Sequence, residues 1–153
     1  EAVATCGQLA DELLADIRSV VSELREHDGL DLRAALEALA RPVAGTRITV
    51  QVDAGLRVDD LAQAEALLRC AQEAITNALR HGRAGHIHVH CGRRDGAIEL
   101  QVDNDGATPA ALAPGNGLTG MRERLEAAGG ALELTPTPPR GLRVRATLPG
   151  GAA

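Results

Sequence analysis

Four polar side chains that suit a metal ion and a polyphosphate lie within two turns of one predicted helix. The helix is predicted over residues 59–81, and its apolar face consists of Leu61, Ala64, Leu68, Ala71, Ile75 and Leu79. The opposite face carries Glu73, Asn77, Arg80 and His81. If this helix stood alone, a solvated face of mixed polar groups would be the simpler interpretation. The segments that follow the helix therefore decide between a ligand-binding site and a solvated polar face.

A second polar group comes after the predicted strand 97–102. Because side chains alternate along a strand, Asn104 is predicted to lie on the side of the strand's apolar residues, whereas Asp103 and Asp105 point the other way. A buried amide needs a hydrogen-bonding partner, and an adenine amino group would be suitable. Gly106 would let a ligand approach the backbone closely. An ordinary Asn-Asp-Gly turn is the alternative interpretation.

A glycine-rich segment, Gly115-Asn116-Gly117-Leu118-Thr119-Gly120, leads directly into a helix predicted over residues 118–128. Free backbone N–H groups at the start of a helix bind phosphate. Alone, this glycine pattern is weakly specific. Its position after the Asn-Asp-Gly turn, in the same domain as the polar helix face, makes a phosphate-binding role the better interpretation.

Composition excludes several classes of protein. The 153-residue chain is 44% hydrophobic, enough for one folded domain, and its net charge of -5 argues against general nucleic-acid binding. It has no aromatic residue for base stacking and no lysine, which a Walker A loop and a protein-kinase fold both need. The only serines, Ser19 and Ser22, lie in a helical pattern, which excludes a nucleophile elbow. The cysteines lack metal-ligand spacing and indicate reduced thiols.

The elements that must position these groups have a simple pattern. Strands are predicted over residues 47–53, 86–91, 97–102, 132–135 and 142–148, each with one apolar and one polar face. With helices over 32–40, 59–81 and 118–128, they predict a two-layer α/β sandwich, a mixed sheet with helices on one face. His86, His88 and His90 lie on one polar strand face. A zinc site there is the alternative to a solvent-facing polar row, but no further ligand is evident.

The first 28 residues form a separate unit in this prediction. A helix over residues 3–27 has a narrow apolar seam of Leu9, Leu13, Ile17, Val20 and Leu24, typical of a coiled coil or bundle. We therefore expect residues 1–28 to be the end of a dimerisation domain that precedes a second domain, residues 29–153. Because the sequence begins at Glu1, without a methionine and close to the start of this helical pattern, we also expect the chain to be a fragment of a longer protein. A helix packed on its own domain is the alternative.

The three motifs together resemble a known ATPase superfamily. They read Glu73-x-x-x-Asn77-Ala78-x-Arg80-His81, Asn104-Asp105-Gly106, and Gly115-x-Gly117-Leu118-x-Gly120-Met121-Arg122-Glu123-Arg124. In this order they resemble the N, G1 and G2 boxes of the gyrase, Hsp90, histidine-kinase and MutL superfamily, whose ATP-binding domain has the Bergerat fold. Within it, the sequence is similar to DesK- and NarX-like sensor histidine kinases. The resemblance covers residues 8–149.

The resemblance implies ATP and Mg²⁺ as ligands. Asn77 would bind Mg²⁺ through its side-chain oxygen, and Glu73 would polarise the attacking group or orient the water shell of the metal. Arg80 and His81 would contact phosphates.

The remaining matching positions would bind the rest of the nucleotide. Asn104 would bind the adenine, and Asp105 and Gly106 would belong to the nucleotide-binding turn beside it. The triphosphate would be wrapped by Gly115, Gly117, Leu118, Thr119 and Gly120, next to a mobile lid over residues 107–116. The superfamily usually has aspartate where this chain has Asn104, so Asp103 or Asp105 is an alternative adenine contact.

The implied function is transfer of the γ-phosphoryl group of ATP to a histidine upstream of Glu1, for relay to a LuxR/NarL-type response regulator. We expect a homodimer through the N-terminal helix, a cytoplasmic location with a membrane anchor in upstream segments, and no direct contact of this fragment with membrane or nucleic acid. Two alternatives stay open. One is an anti-sigma-factor-like serine kinase of the same superfamily, and the other is a catalytically weak nucleotide-binding or protein-interaction module.

Overall fold

The computed structural model describes residues 32–40, 45–56, 58, 60–82, 84–106 and 118–149. Several predictions fall outside these residues: the helix over residues 3–27 with its domain boundary, the lid over residues 107–116, and Gly115 and Gly117. The backbone is described, but the side chain is not, at Leu61, His81, Leu118 and Thr119.

Three helices and five strands occupy the described part of the chain, within a few residues of their predicted positions. The helices are α1 (Leu32–Leu39), α2 (Leu61–Asn77) and α3 (Leu118–Ala127), and a π-helical turn (Ala78–Gly82) comes directly after α2. The strands are β1 (Arg47–Val52), β2 (His86–Arg94), β3 (Ala97–Asn104), β4 (Ala131–Pro136) and β5 (Leu142–Pro149).

The strands form one mixed sheet in the order β1-β2-β3-β5-β4. β1 and β2 are parallel, and the other neighbouring pairs are antiparallel. Two parallel neighbours need a crossover connection over one face of the sheet, and α2 supplies it here. The end of α2 is therefore followed at once by the start of β2, which brings the polar end of the helix to one edge of the sheet.

Alternate strand residues face a buried layer between the sheet and the helices. Val52, Val89, Leu100, Leu132 and Val144 represent the five strands in this layer, and each is less than a tenth exposed. α2 packs on β3 and β5, α1 on β1, and α3 on β4. The intervening strand residues are mostly polar and face away from the helices. The predicted two-layer α/β sandwich is confirmed.

α2 begins at a clear capping signal. Oδ1 of Asp60 accepts hydrogen bonds from the backbone N–H groups of Ala62 (2.8 Å) and Gln63 (3.2 Å), as an N-cap residue does. The buried arc of the helix is wider than the predicted apolar face, since Leu67 and Cys70 are also fully buried. The reason is that α1 and α3 pack against its flanks. No described helix is both long and apolar enough to span a bilayer.

Candidate functional site

The polar end of α2 is a π-helical turn. Asn77 is the last α-helical residue, and the turn covers Ala78–Gly82. Periodicity predicts a regular α-helix through His81, and this part of the prediction is wrong. Hydrogen bonds in a π-helix join residues five apart rather than four, so the side chains after Asn77 are rotated relative to a regular helix. Such turns are rare and frequently occur at functional sites.

Three of the predicted side chains lie at this end of α2. Glu73 and Asn77 are four residues apart, so they lie one above the other on the helix surface, and both are half-buried. Arg80, in the π-helical turn, is exposed. The rigid helix therefore orients a carboxylate and an amide, while a guanidinium extends from the turn beside them. His81 lies in the same turn.

Asn104 is the last residue of β3. Its neighbours across the sheet are Ile87 on one side and Leu142 on the other, and both are buried in the layer below the helices. The predicted side of the strand is therefore confirmed, although Asn104 is half-buried rather than fully buried. Its Oδ1 accepts a hydrogen bond from the Gly106 N–H at 2.8 Å. A Cβ at Gly141 would overlap the backbone oxygen of Asn104, so only glycine fits beside this turn.

Asp105 fastens the turn to the start of β2. Its Oδ1 accepts hydrogen bonds from the backbone N–H groups of Gly85 (2.8 Å) and His86 (2.9 Å). The hydrogen bonds hold the pKa of the Asp105 carboxyl below its ordinary value, and the bond from the His86 N–H has the largest effect. Sequence reasoning missed this role. The two N–H groups lie 20 and 19 residues away along the chain, so no local pattern indicates the contact.

A short run of hydrogen bonds joins the two polar segments. The Ala84 N–H donates to the Ala78 carbonyl in the π-helical turn at 3.2 Å. The Thr46 hydroxyl donates to the Ala84 carbonyl at 2.9 Å. Gly85 and His86, which follow Ala84 along the chain, donate their N–H groups to Asp105. The structure thus brings the end of α2 and the turn after β3 to the same edge of the sheet.

Only the end of the glycine-rich segment lies in the described part of the chain, as the first turn of α3. Gly120 is half-buried, and a Cβ built on it has no heavy atom of the described residues within 4 Å. The backbones of Leu118 and Thr119 precede it in the same turn. Because α3 packs against α2, this turn belongs to the same helical layer as Asn77.

Asp103 and the histidines of β2 lie on the outer face of the sheet, where they contact neighbouring polar side chains. Asp103 accepts a hydrogen bond from Arg143 Nε at 2.8 Å, on the side away from the helices. His88 Nδ1 lies 2.7 Å from the Thr49 hydroxyl, and His90 Nε2 lies 3.0 Å from Asp53 Oδ1. Within the residues that the structure describes, no three histidine, cysteine, aspartate or glutamate side chains are placed to hold a metal ion.

The donor set at the end of α2 fits a hard divalent cation bound together with phosphates. Mg²⁺ is held in proteins by one or two oxygen ligands, with phosphate oxygens and water completing its shell. The amide oxygen of Asn77 and the carboxylate of Glu73 are donors of this kind, and both are half-buried. The exposed Arg80 adds positive charge for a phosphate. The arrangement can therefore bind a metal–polyphosphate ligand.

Comparison with known sequences identifies relatives of this chain. The sequence model of the family described as histidine kinase-, DNA gyrase B-, and HSP90-like ATPase matches residues 62–152. The sensor histidine kinase YxjM of Bacillus subtilis is 32% identical over 146 residues, which cover 92% of this chain and 36% of YxjM. The histidine-protein kinase/phosphatase UhpB of Salmonella typhimurium is 31% identical over 155 residues, covering 94% of this chain and 31% of UhpB.

Solved structures share the fold. The blue-light activated histidine kinase of Erythrobacter litoralis EL346 superposes with a TM-score of 0.71 at 18% identity, over 93% of this chain and 53% of that one. At this identity the likeness concerns the fold alone. The present chain spans about a third of the length of the curated relatives that it matches.

Proposed function

The chain belongs to the family of histidine kinase-, DNA gyrase B- and HSP90-like ATPases, and from this premise we propose that residues 29–153 are the ATP-binding catalytic domain of a sensor histidine kinase. Residues 1–28 are then the end of the dimerisation domain, as the apolar seam of the predicted helix suggests. The names of the curated relatives, a sensor histidine kinase and a signal-transduction histidine-protein kinase/phosphatase, support this proposal.

The observation that carries the proposal is the hydrogen-bonded link between the two polar segments. Asp105 holds the start of β2, and Ala84 holds the π-helical turn. A domain that only presented an interaction surface would not need to fix an amide and a carboxylate on one segment against a polar turn on the other. A nucleotide requires this, because its phosphates and its base must be bound at a set separation.

Asn77 and Glu73 are proposed to act on the metal and on the reacting group. Asn77 would hold Mg²⁺ through Oδ1, because an amide oxygen is a hard, neutral donor that α2 orients. Glu73, one turn earlier, would orient the water shell of the metal or polarise the attacking nitrogen. When bound, the metal ion would neutralise charge on the phosphates.

The other residues are proposed to bind the nucleotide itself. Arg80 and His81 would contact phosphate oxygens. The turn Asn104, Asp105 and Gly106 would receive the base, with Asp105 acting through the position of the turn. The phosphates would be wrapped by Gly115, Gly117, Leu118, Thr119 and Gly120, with residues 107–116 as a lid.

The proposed reaction is phosphoryl transfer to a histidine in an upstream segment. The bond between the γ-phosphorus and the bridging oxygen would break, and ADP would leave with the electron pair. A bond from phosphorus to the unprotonated ring nitrogen of the histidine would form, and the other ring nitrogen, which carries the proton, could then release it to water. Such transfer depends mainly on positioning and charge neutralisation, so this domain needs no nucleophile of its own. A LuxR/NarL-type response regulator would then receive the group, in a homodimeric, membrane-anchored protein.

Calorimetric titration with Mg²⁺ and a non-hydrolysable ATP analogue tests the proposal. Wild-type protein should bind the analogue, and omission of Mg²⁺ or the change Asn77→Ala should weaken binding at least about tenfold, since one ligand to a charged group is lost. Gln63→Ala is the matched control. It removes an amide from the same helix, about 21 Å from Asn77 at 1.5 Å per residue.

Two outcomes would contradict the proposal. Absence of binding by folded wild-type protein would favour the interaction-module alternative. Equal losses of binding affinity in Asn77→Ala and Gln63→Ala would show that the metal does not bind at the end of α2. A longer version of the chain distinguishes the kinase classes, because phosphohistidine is labile in acid and phosphoserine is not. Acid-stable phosphate on a serine would favour the serine-kinase alternative.

A further inference from the structure

The peptide unit that joins Ala84 to Gly85 is held from both sides. Its carbonyl group, that of Ala84, accepts a hydrogen bond from the Thr46 hydroxyl at 2.9 Å. Its N–H group, that of Gly85, donates to Asp105 Oδ1 at 2.8 Å. Because a peptide unit is planar, two bonds at its opposite ends fix the orientation of the whole plane. Thr46 and Asp105 thus hold one rigid group between them.

The next peptide unit, between Gly85 and His86, is held in the same way. The Gly85 carbonyl accepts from the Arg47 N–H at 2.9 Å, and the His86 N–H donates to Asp105 Oδ1 at 2.9 Å. Both units therefore lie between the start of β1 and the turn after β3. On the β1 side, Arg47 uses its backbone, whereas Thr46 uses its side chain. A substitution can therefore remove the Thr46 bond alone.

The fixed peptide plane is linked to the π-helical turn through Ala84. The Ala84 N–H donates to the Ala78 carbonyl in that turn at 3.2 Å, and only the two backbone dihedral angles of Ala84 separate this bond from the plane that Thr46 holds. Ala84 is buried, at 3% exposed, so water has little access to its carbonyl in place of the hydroxyl. The Thr46 side chain therefore influences the orientation of the turn that carries Arg80.

From this geometry we propose that Thr46 is a positioning residue for nucleotide phosphates, because its hydroxyl holds the π-helical turn in the arrangement that directs Arg80 to them. The inference rests on the proposed function, in which Arg80 contacts a phosphate. Thr46 itself touches no ligand, since its hydroxyl is bonded within the protein. Without this bond, a smaller fraction of the free protein has the turn in the binding arrangement, and the apparent affinity falls by that fraction. The loss of one neutral hydrogen bond corresponds to about three- to tenfold.

Calorimetric titration of ADP with Mg²⁺ compares wild-type protein with Thr46→Val, Thr46→Ala and Thr46→Ser. The first two changes remove the hydroxyl, one of them at nearly constant volume, so both should weaken binding about three- to tenfold. Thr46→Ser keeps the hydroxyl and should bind within about twofold of wild-type protein. Thr147→Val is the matched control and should leave the affinity unchanged. Thr147 is also half-buried, and it lies about 17 Å along β5 from Leu142, the residue that pairs with Asn104.

A double-mutant cycle with Arg80→Ala distinguishes positioning from general stabilisation of the fold. If Thr46 acts through Arg80, adding Thr46→Val to Arg80→Ala should lower the affinity by less than about twofold, because the contact that Thr46 positions is already lost. The same loss of affinity with and without Arg80 would overturn the inference.

The remaining outcomes separate this inference from the proposed function. If Thr46→Val and Thr46→Ala bind ADP as tightly as wild-type protein, the role of Thr46 is overturned while nucleotide binding stands. If folded wild-type protein does not bind ADP, both proposals are overturned. Thermal unfolding of each variant before titration shows that the protein is folded.

Discussion

Replacement of Gly120 by alanine should stabilise the fold and weaken nucleotide binding at the same time. Gly120 is the third residue of α3, and an added Cβ has no heavy atom of the described residues within 4 Å. Glycine within a helix costs about 0.5–1 kcal/mol relative to alanine. Because Gly120 lies in the first turn, we expect the lower value, about 0.5 kcal/mol. For a domain of this size, the unfolding temperature should rise by roughly 1–2 °C.

The space that a Cβ would fill at Gly120 is where the proposed function puts the phosphates. A methyl group there would keep phosphate oxygens away from the backbone N–H groups at the start of α3. Loss of one hydrogen bond to a charged group costs about 1.5–3 kcal/mol, which corresponds to roughly 10- to 100-fold weaker binding. Stability and affinity should therefore move in opposite directions, which general damage to the fold does not produce.

Thermal unfolding and calorimetric titration of the nucleotide, run on the same preparation of Gly120→Ala, make the two measurements. Gly130→Ala is the contrasting control, because its Cβ would overlap the Thr147 carbonyl oxygen and press on Leu148. That change should destabilise the fold by about 1–3 kcal/mol. A lower unfolding temperature for Gly120→Ala would refute the packing argument. A raised unfolding temperature with unchanged nucleotide affinity would show that the phosphates do not bind beside Gly120.

Two further predictions concern side chains with shifted pKa values. The pKa of Asp105 is lowered from its ordinary value of 3.8, so its carboxylate stabilises the fold above that pH, and this contribution is lost as the pH falls through the lower folded-state pKa. Asp105→Asn should therefore flatten the fall in urea-measured stability below about pH 4, and an unchanged acid profile would contradict this. Burial raises the pKa of Cys70 and Cys91 to about 12. Iodoacetamide at about pH 8 should thus modify both slowly in the native protein and quickly in urea, as read by peptide mass spectrometry, and fast native labelling would show that the layer between sheet and helices opens.

The strands could be predicted from the sequence because one face of the sheet is buried. In β5, for example, Leu142, Val144 and Leu148 are all less than a tenth exposed, and the residues between them are polar or small. A shift of one residue would bury the polar set, so the alternation itself specifies the register. The same reasoning placed Asn104 on the helix side of β3. It also placed Asp103 on the outer face, where Arg143 binds it.

The π-helical turn and the role of Asp105 could not be predicted in this way. Periodicity describes which face of a helix is buried, and it carries little information about the last turn, where few residues are buried. The hydrogen bonds of Asp105 join segments about 20 residues apart, and they exist only because β2 and β3 pair at this edge. Local composition indicated a turn at Asn-Asp-Gly, but it could not say what the turn is fastened to.

Because side chains alternate along a strand, the two adjacent residues Asn104 and Asp105 point to opposite sides and have different roles. Asp105, on one side, carries the charge and uses it to bind two backbone N–H groups of the neighbouring strand. Asn104, on the other side, is neutral and faces the layer that the helices cover. Charge is useful in the first position, where it strengthens hydrogen bonds that hold the turn. A change at residue 105 should therefore alter how firmly the turn is held, whereas a change at residue 104 should alter how tightly the proposed nucleotide is bound.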